Sequence, residues 1–408
     1  MISVKSLLGV AERQISEIIS KDNAGVERVS AGNIKPPVPQ FARIITGIRR
    51  CGKSTFVCQQ VKKSRSAFYL NFDEPELLDF SSSDFAILDD AIKQYENSHS
   101  ECTELYFDEI QVVSGWEVYV SSKLKEGYLV TVTGSNAAML SVELGSRLTG
   151  RHLDYELFPF DFAEYSMCST ENPSFSDYLI KGGFPEFLIY GKSEILKRLF
   201  DDILLRDVVV RYKVRDISAV RTLALYLISN CANLVTGSRL SAQLGIKTTA
   251  TVLEYLSFFE QCYLFSFIQR FDYSLKSRSV NPKKVYCIDT GLIGNVSVSA
   301  SKDIGRMFEN AVFLMIRRRS KNIWYYSEAA FECDFLFGSG NMPELAVQAC
   351  YELTSENMQR EVKGLVRTCE KFSLGKAYIV TMNQTDRISC DGKMIDVIPI
   401  EKFEEILS

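Results

Sequence analysis

Eight residues, Gly47-Ile-Arg-Arg-Cys-Gly-Lys-Ser54, constrain the fold of this chain more than any other segment. Their spacing, G-x-x-x-x-G-K-[ST], is that of a backbone loop wrapped around phosphate oxygens. Gly47 and Gly52 let the chain turn where a Cβ would block it, so successive N–H groups converge on an anion. Lys53 can reach β- and γ-phosphates, and the Ser54 hydroxyl is placed to ligate Mg²⁺. Arg50, Cys51 and Thr55 lie within or directly after the loop and complete the expected nucleotide-contacting set. Such a loop needs a strand before it and a helix after it. Phe41 to Thr46 is an apolar run of strand length, and Thr55 to Lys63 continues as a helix whose N-terminus faces the phosphates.

Strand and helix patterns alternate beyond the loop. Strands are expected at 66–72, 104–107, 129–133 and 152–157, with helices near 84–97 and 116–125. This alternation implies a parallel sheet with helices on both faces and a ligand at the carboxyl ends of the strands. The strand Glu104-Leu-Tyr-Phe107 delivers Asp108-Glu109 at its tip. Asp108 is expected to hold hydrated Mg²⁺, and Glu109 to take a proton from the attacking water. The strand at 129–133 runs into Gly134-Ser-Asn136, where Asn136 either orients that water or, like Ser135, caps a helix. Arg147 and Arg151 precede the last strand. They either pair with local carboxylates or stabilise phosphoryl charge, in their own subunit or in a neighbour's, which would tie turnover to self-association.

The chain has 408 residues, too many for one ordinary core, so two or three domains are expected. A net charge of −4 gives no overall basic footprint for nucleic acid. The 11 cysteines lack metal-site spacing and several sit in apolar runs, a usage that suits a reducing cytoplasm. No apolar run reaches membrane-spanning length, and Met1 to Ser20 lacks the uninterrupted core of a signal peptide, so a cytoplasmic protein is expected. Only two histidines occur, which disfavours a His-based metal site or triad.

These patterns divide the chain. Residues 1–39 carry an amphipathic helix and a linker with Pro36-Pro37-Val38-Pro39, 40–158 the phosphate-loop core, and 159–235 a helical segment interrupted by Lys181-Gly-Gly-Phe-Pro-Glu186. Residues 236–299 read as helix, turn at Gly245 and second helix around Leu240, Leu244, Ile246, Val252, Tyr255 and Leu256. A DNA-reading helix should present basic and amide groups near its start. Lys247, Thr248, Thr249 and Thr251 are a thin set, which favours a packing module over sequence-specific readout. Arg270, Lys276, Arg278, Lys283 and Lys284 still offer phosphate contacts for DNA or RNA.

Taken with Tyr106-Phe-Asp-Glu-Ile-Gln111, Gly115-Trp-Glu117, Thr133-Gly-Ser-Asn136, Leu148-Thr-Gly-Arg151, Gly182-Gly-Phe-Pro-Glu186, Tyr286-Cys-Ile-Asp-Thr-Gly291, Phe308-Glu-Asn310 and Glu332-Cys-Asp-Phe335, the loop closely resembles the prokaryotic AAA-type ATPases that carry a conserved C-terminal domain of unknown function. The resemblance spans about residues 40–385. It implies an α/β P-loop NTPase core of the additional-strand, catalytic-glutamate class with strand order 5-1-4-3-2. A winged-helix segment and a C-terminal α/β domain of restriction-endonuclease-like fold at 300–408 would follow. It also implies ATP and Mg²⁺ as ligands: Gly47, Gly52, Lys53, Ser54 and Thr55 bind nucleotide, Asp108 binds magnesium and Glu109 activates water.

A nuclease of that fold needs acidic Mg²⁺ ligands and a lysine two residues beyond the last one. Here Glu309 is expected on a helix, Asp334 at the start of a strand and Gln348 in the next, with Cys350 where the lysine belongs. Gln348 weakens the metal site and Cys350 offers no fixed positive charge, so cleavage is disfavoured unless Arg360 or Lys363 substitutes.

Overall fold

Strand β1 (Ala42–Thr46) is buried along its whole length, and such a strand must be covered on both faces and paired on both edges. In the computed structural model it pairs in parallel with β4 (Leu129–Gly134) on one side and β5 (His152–Glu156) on the other. Beyond β4 lie β3 (Glu104–Asp108) and β2 (Ala67–Asn71), also parallel. The order β2-β3-β4-β1-β5 is the 5-1-4-3-2 order that the resemblance implies. The structure describes residues 2–407 apart from 22–24, 29–33, 65, 100–101, 137–149, 169–171, 299–302 and 330. Arg147 therefore lies outside the described residues.

This sheet belongs to a unit formed by residues 1–172 and two short returns, 184–189 and 261–263. Helix α1 (Val4–Ser20) begins where Ser3 caps it by accepting from the Ser6 N–H, and it buries Leu7, Val10, Ala11, Ile15 and Ile18. It packs on β2 and on the helix Phe85–His99, and the Gln14 side-chain Oε1 accepts from the Asn71 N–H at the tip of β2. The N-terminal helix is thus part of the core unit rather than a separate appendage.

The second unit, residues 173–183, 190–260 and 264–408, is built on a nine-stranded sheet. Strands β6 (Leu234–Val235), β7 (Phe265–Arg270) and β8 (Lys283–Cys287) form an antiparallel group in the order β6-β8-β7. Helix Ile217–Ser229 precedes β6, helices Gly237–Leu244 and Thr249–Gln261 lie between β6 and β7, and helix Leu275–Val280 lies between β7 and β8. Helix Ile304–Arg319 then leads into the antiparallel strands β9 (Ile323–Glu328), β10 (Phe331–Phe337) and β11 (Leu345–Ala349). Helix Met358–Phe372 crosses back so that β12 (Ala377–Thr381) lies parallel to β11. Strands β14 (Lys393–Pro399) and β13 (Asp386–Cys390) complete that edge. The two groups join where β7 meets β9 over two positions, Gln269–Trp324 and Arg270–Tyr325. The expected borders at 235/236 and 299/300 fall inside this one unit. Asp334, expected at a strand start, sits in the middle of β10 because the strand begins three residues earlier.

One turn in this unit has no room for a side chain. The Asp289 carboxylate accepts from the N–H groups of Gly183 at 2.6 Å and Leu292 at 3.0 Å. A Cβ on Gly182, whose φ is +72°, would stand 2.3 Å from Asp289 Oδ1. Gly182→Ala is expected to cost about 2–4 kcal/mol through the clash and the left-handed backbone together. Gly191→Ala, at φ +66° with open space around it, is expected to cost about 1 kcal/mol. Melting curves of the two variants check the difference.

Candidate nucleotide site

At the end of β1 the chain enters Gly47 with φ +150°, where a Cβ would lie 2.1 Å from the Leu157 carbonyl oxygen. Only glycine fits there. The loop closes through the Cys51 N–H on the Ile48 carbonyl, and the buried Cys51 thiol donates to Leu157 O at 3.2 Å. Gly52, at φ +102°, starts helix α2 (Lys53–Lys63), and no side chain caps that helix. Its first N–H groups and the positive end of its dipole therefore face the loop. The buried Lys53 ammonium is held inside the loop, 3.0 Å from Gly47 O and 3.2 Å from Ile48 O. Ser54 and Thr55 are exposed on the first turn. Arg50, itself at φ +61°, pairs with Glu186 of the first return segment at 2.9 Å.

Two strands over, β3 ends in Asp108, which is fully buried. Its Oδ2 accepts from the Tyr69 hydroxyl at 3.0 Å and its Oδ1 from the Thr133 hydroxyl. Thr133 in turn accepts from the Glu109 N–H at 3.0 Å, so one hydroxyl fixes both members of the acidic pair. Glu109 occupies left-handed backbone at φ +54°, a conformation that costs a non-glycine residue energy and recurs at functional sites. The Gln111 amide donates to its carboxylate. Burial pushes the Glu109 carboxyl above its usual range, with Asp108 adding to the effect and the Lys53 ammonium opposing it.

Strand β4 lies between β3 and β1, and Gly134 is level with Thr46. The buried Asn136, two residues further on, therefore stands at the same edge of the sheet as the loop and the acidic pair. Arg151 does not. It precedes β5, where His152 is level with Ala42, and its carbonyl accepts from the Ala42 N–H. That is the opposite end of β1, about 13 Å from Thr46 at roughly 3.3 Å per residue. Parallel pairing with β1 thus sets the Arg151 backbone at the end of the sheet away from the loop.

Three contributors were missed in the sequence. Arg28 is buried against Glu164 (3.1 Å), donates to the carbonyls of Cys51 (2.7 Å) and Phe158 (2.6 Å), and lies over the Phe160 ring. It holds the phosphate loop from beneath, and no local pattern announces it. Tyr69 is an ordinary strand aromatic until the fold sets it beside Asp108. Tyr263, in the second return segment, donates to the Thr46 hydroxyl at 2.6 Å.

The donor set fits a triphosphate with magnesium. An uncapped helix start, a glycine with no room for a Cβ and a buried ammonium form an anion cradle. Asp108, with both oxygens taken by hydroxyls, would suit a magnesium contact through water, and the exposed Ser54 hydroxyl could hold the ion directly.

In the second unit, Glu309, Asp334 and Gln348 do come together, but not as an open metal site. Gln348 accepts from the Asp334 N–H at 3.2 Å and donates to Glu361 at 2.6 Å. Arg360 pairs with Glu361 rather than reaching the acidic pair. The cation that meets Glu309 and Asp334 is Lys284. Among the described residues, no group of three or more His, Cys, Asp or Glu side chains is arranged to hold a metal ion, and no helix is long and apolar enough to cross a membrane.

Residues 40–166 match a family model described as an AAA domain, and 172–303 match one described as a domain of unknown function, DUF8612. The loop, the acidic pair and the parallel five-stranded sheet define the class as an AAA-type P-loop ATPase-like domain. The chain belongs to the family of MJ1544, an uncharacterized protein of Methanocaldococcus jannaschii to which it is 30% identical over 400 residues, 90% of this chain and 88% of that protein. An uncharacterized protein of Haemophilus influenzae is 28% identical over 381 residues, covering 88% and 92% of the two chains. Among solved structures, the Walker-type ATPase PABY2304 of Pyrococcus abyssi aligns at 14% identity with a TM-score of 0.42, over 62% of this chain and 90% of that one.

Proposed function

We propose that this chain binds ATP with Mg²⁺, hydrolyses it, and uses the nucleotide state to set the arrangement of its second unit. The observation that carries the reading is the convergence of the Gly47–Ser54 loop, Asp108, Glu109 and Asn136 on one edge of one parallel sheet. Bound Mg²⁺ would neutralise charge on the phosphate oxygens. Lys53 and the first N–H groups of α2 bind and orient the phosphates. Glu109 accepts the proton of the attacking water, and Asn136 positions that water.

Coupling is supported by the two return segments. Each is flanked in sequence by residues of the second unit, and each hydrogen-bonds a residue at the loop: Glu186 to Arg50 and Tyr263 to Thr46. A γ-phosphate that shifts the loop therefore acts on segments continuous in sequence with the second unit. Glu186→Gln and Tyr263→Phe are expected to keep turnover within about 3-fold. They should remove at least half of the ATP-dependent hydrogen-exchange protection in β7 and β8, a scale set by modest hydrogen-bond energies. Unchanged protection in both variants would remove the coupling.

A phosphate-stabilising arginine from a neighbour is the catalytic role proposed for Arg151. It predicts turnover per subunit that rises with protein concentration and loses that rise in Arg151→Ala. A second reading, a nucleic-acid-binding effector regulated by ATP, is favoured by the order β6-β8-β7 with its three helices, which suits a winged-helix module. The helix, three antiparallel strands, helix and parallel strand from 304 to 381 suit a nuclease-like core. That reading expects DNA or RNA to raise ATP turnover.

A further inference from the structure

Lys284 enters the second unit from β8, where a neighbouring strand residue would ordinarily be apolar. Its side chain is 4% exposed, and its ammonium stands 3.1 Å from Glu309 Oε1, 2.9 Å from Asp334 Oδ1 and 2.5 Å from Glu332 Oε1. A buried ammonium persists only when paired and hydrogen-bonded. Here it donates to carboxylates from two elements, the helix Ile304–Arg319 and strand β10. The carboxylates are themselves anchored. Tyr286 donates to Glu309 at 2.7 Å, and the Ala349 N–H donates to Asp334 Oδ2 at 3.1 Å. Gln348 ties the Asp334 backbone to Glu361. The attraction of these acids holds the ammonium protonated despite its burial.

Three carboxylate oxygens stand 2.5–3.1 Å from the ammonium nitrogen, spread around that nitrogen rather than drawn in to the roughly 2.0–2.6 Å at which oxygens hold Mg²⁺ or Ca²⁺. Their centre is filled by nitrogen of the chain itself. We infer that Lys284 is the resident cation of this centre, occupying the position between Glu309 and Asp334 that a divalent metal would need, so that the second unit holds its acidic cluster without metal and does no metal-dependent phosphodiester cleavage. The inference concerns the second unit alone and is independent of the ATPase reading.

The centre is reachable. A cavity of about 420 Å³ opens beside it, with Lys284 and Glu332 in its wall together with Asn230, Asn233, Arg239 and Arg306. An ion could therefore enter if the ammonium were removed. Lys284→Met keeps the stem and deletes the charge, leaving three acids facing one another.

The test uses the nucleotide-free full-length chain and Mn²⁺ as the probe. Wild type is expected to melt within about 1 °C of the same temperature with and without 1 mM Mn²⁺, given no preferential binding to the folded state. Lys284→Met is expected to melt about 10 °C lower. Mn²⁺ should restore at least half of that loss, and the restoration should vanish in Lys284→Met/Glu309→Gln. Wild type incubated with DNA and Mn²⁺ should leave the DNA uncut. Mn²⁺ binding to wild type that Glu309→Gln abolishes, or DNA cleavage that Asp334→Asn abolishes, would overturn the inference. So would a folded Lys284→Met that gains no response to Mn²⁺. If Lys284→Met fails to fold, the wild-type binding and cleavage measurements decide alone.

Discussion

Glu109→Gln is expected to bind ATP about as well as wild type while its turnover falls at least ~100-fold, the usual worth of a positioned general base. Lys53→Ala should lose both binding and turnover, because the buried ammonium inside the loop is a main countercharge to the phosphates. The pair separates chemistry from binding, since the amide keeps the size and hydrogen-bonding capacity of Glu109 but cannot take the proton. Equilibrium binding of a fluorescent ATP analogue and phosphate release on the same preparations provide the two readouts. Turnover in Glu109→Gln within about 3-fold of wild type would assign water activation elsewhere. The raised carboxyl of Glu109 adds a pH signature. Protonation removes the base, so kcat/KM of wild type should fall on acidification at a higher pH than an ordinary carboxylate would give.

Arg28→Met is expected to destabilise the nucleotide unit by about 3–5 kcal/mol, because it takes the guanidinium away from the fully buried Glu164 carboxylate. Arg28 also donates to the Cys51 carbonyl inside the loop. Its removal should therefore weaken ATP binding as well as stability. The double variant Arg28→Met/Glu164→Leu distinguishes the effects. Removing both charges should recover much of the stability, while the unsupported Cys51 carbonyl keeps the affinity low. Denaturant unfolding and ATP titration of the three proteins check both halves. Full recovery of affinity in the double variant would mean that Arg28 acts only through the stability of the fold.

The parts of this protein legible in its sequence are those set by neighbours in the chain. The loop is spelled by glycines whose backbone angles are local, and each parallel strand is an apolar run ending in the polar residue it delivers, so the positions of Lys53, Asp108, Glu109 and Asn136 along one sheet edge follow from local sequence. Arg28 finds Glu164 across 136 residues and Lys284 finds Asp334 across 50, and nothing beside either basic residue marks its partner. Gln348 was read as a weakened metal ligand, yet its amide both accepts and donates between Asp334 and Glu361, a use that a carboxylate could not fill. The place of Arg151 was hidden for a topological reason. Its distance in sequence from the loop says nothing about which end of a parallel strand it occupies, and the register with β1 decides that.

The junction between β7 and β9 has a mechanical consequence. Its neighbours β8–β7 and β9–β10 are each stitched over five paired positions, whereas this seam has two, reinforced by the Phe271 N–H on Tyr325 O at 2.8 Å. Load passing from the three-stranded plate to the six-stranded plate through the sheet crosses those few backbone bonds. What stiffens the crossing is aromatic: Phe271 meets the Trp324 ring edge to face, and the Arg278 guanidinium lies over both rings. The seam is therefore the narrowest backbone link between the two groups of strands, and it is cross-braced by Lys284 of β8 on Glu332 and Asp334 of β10.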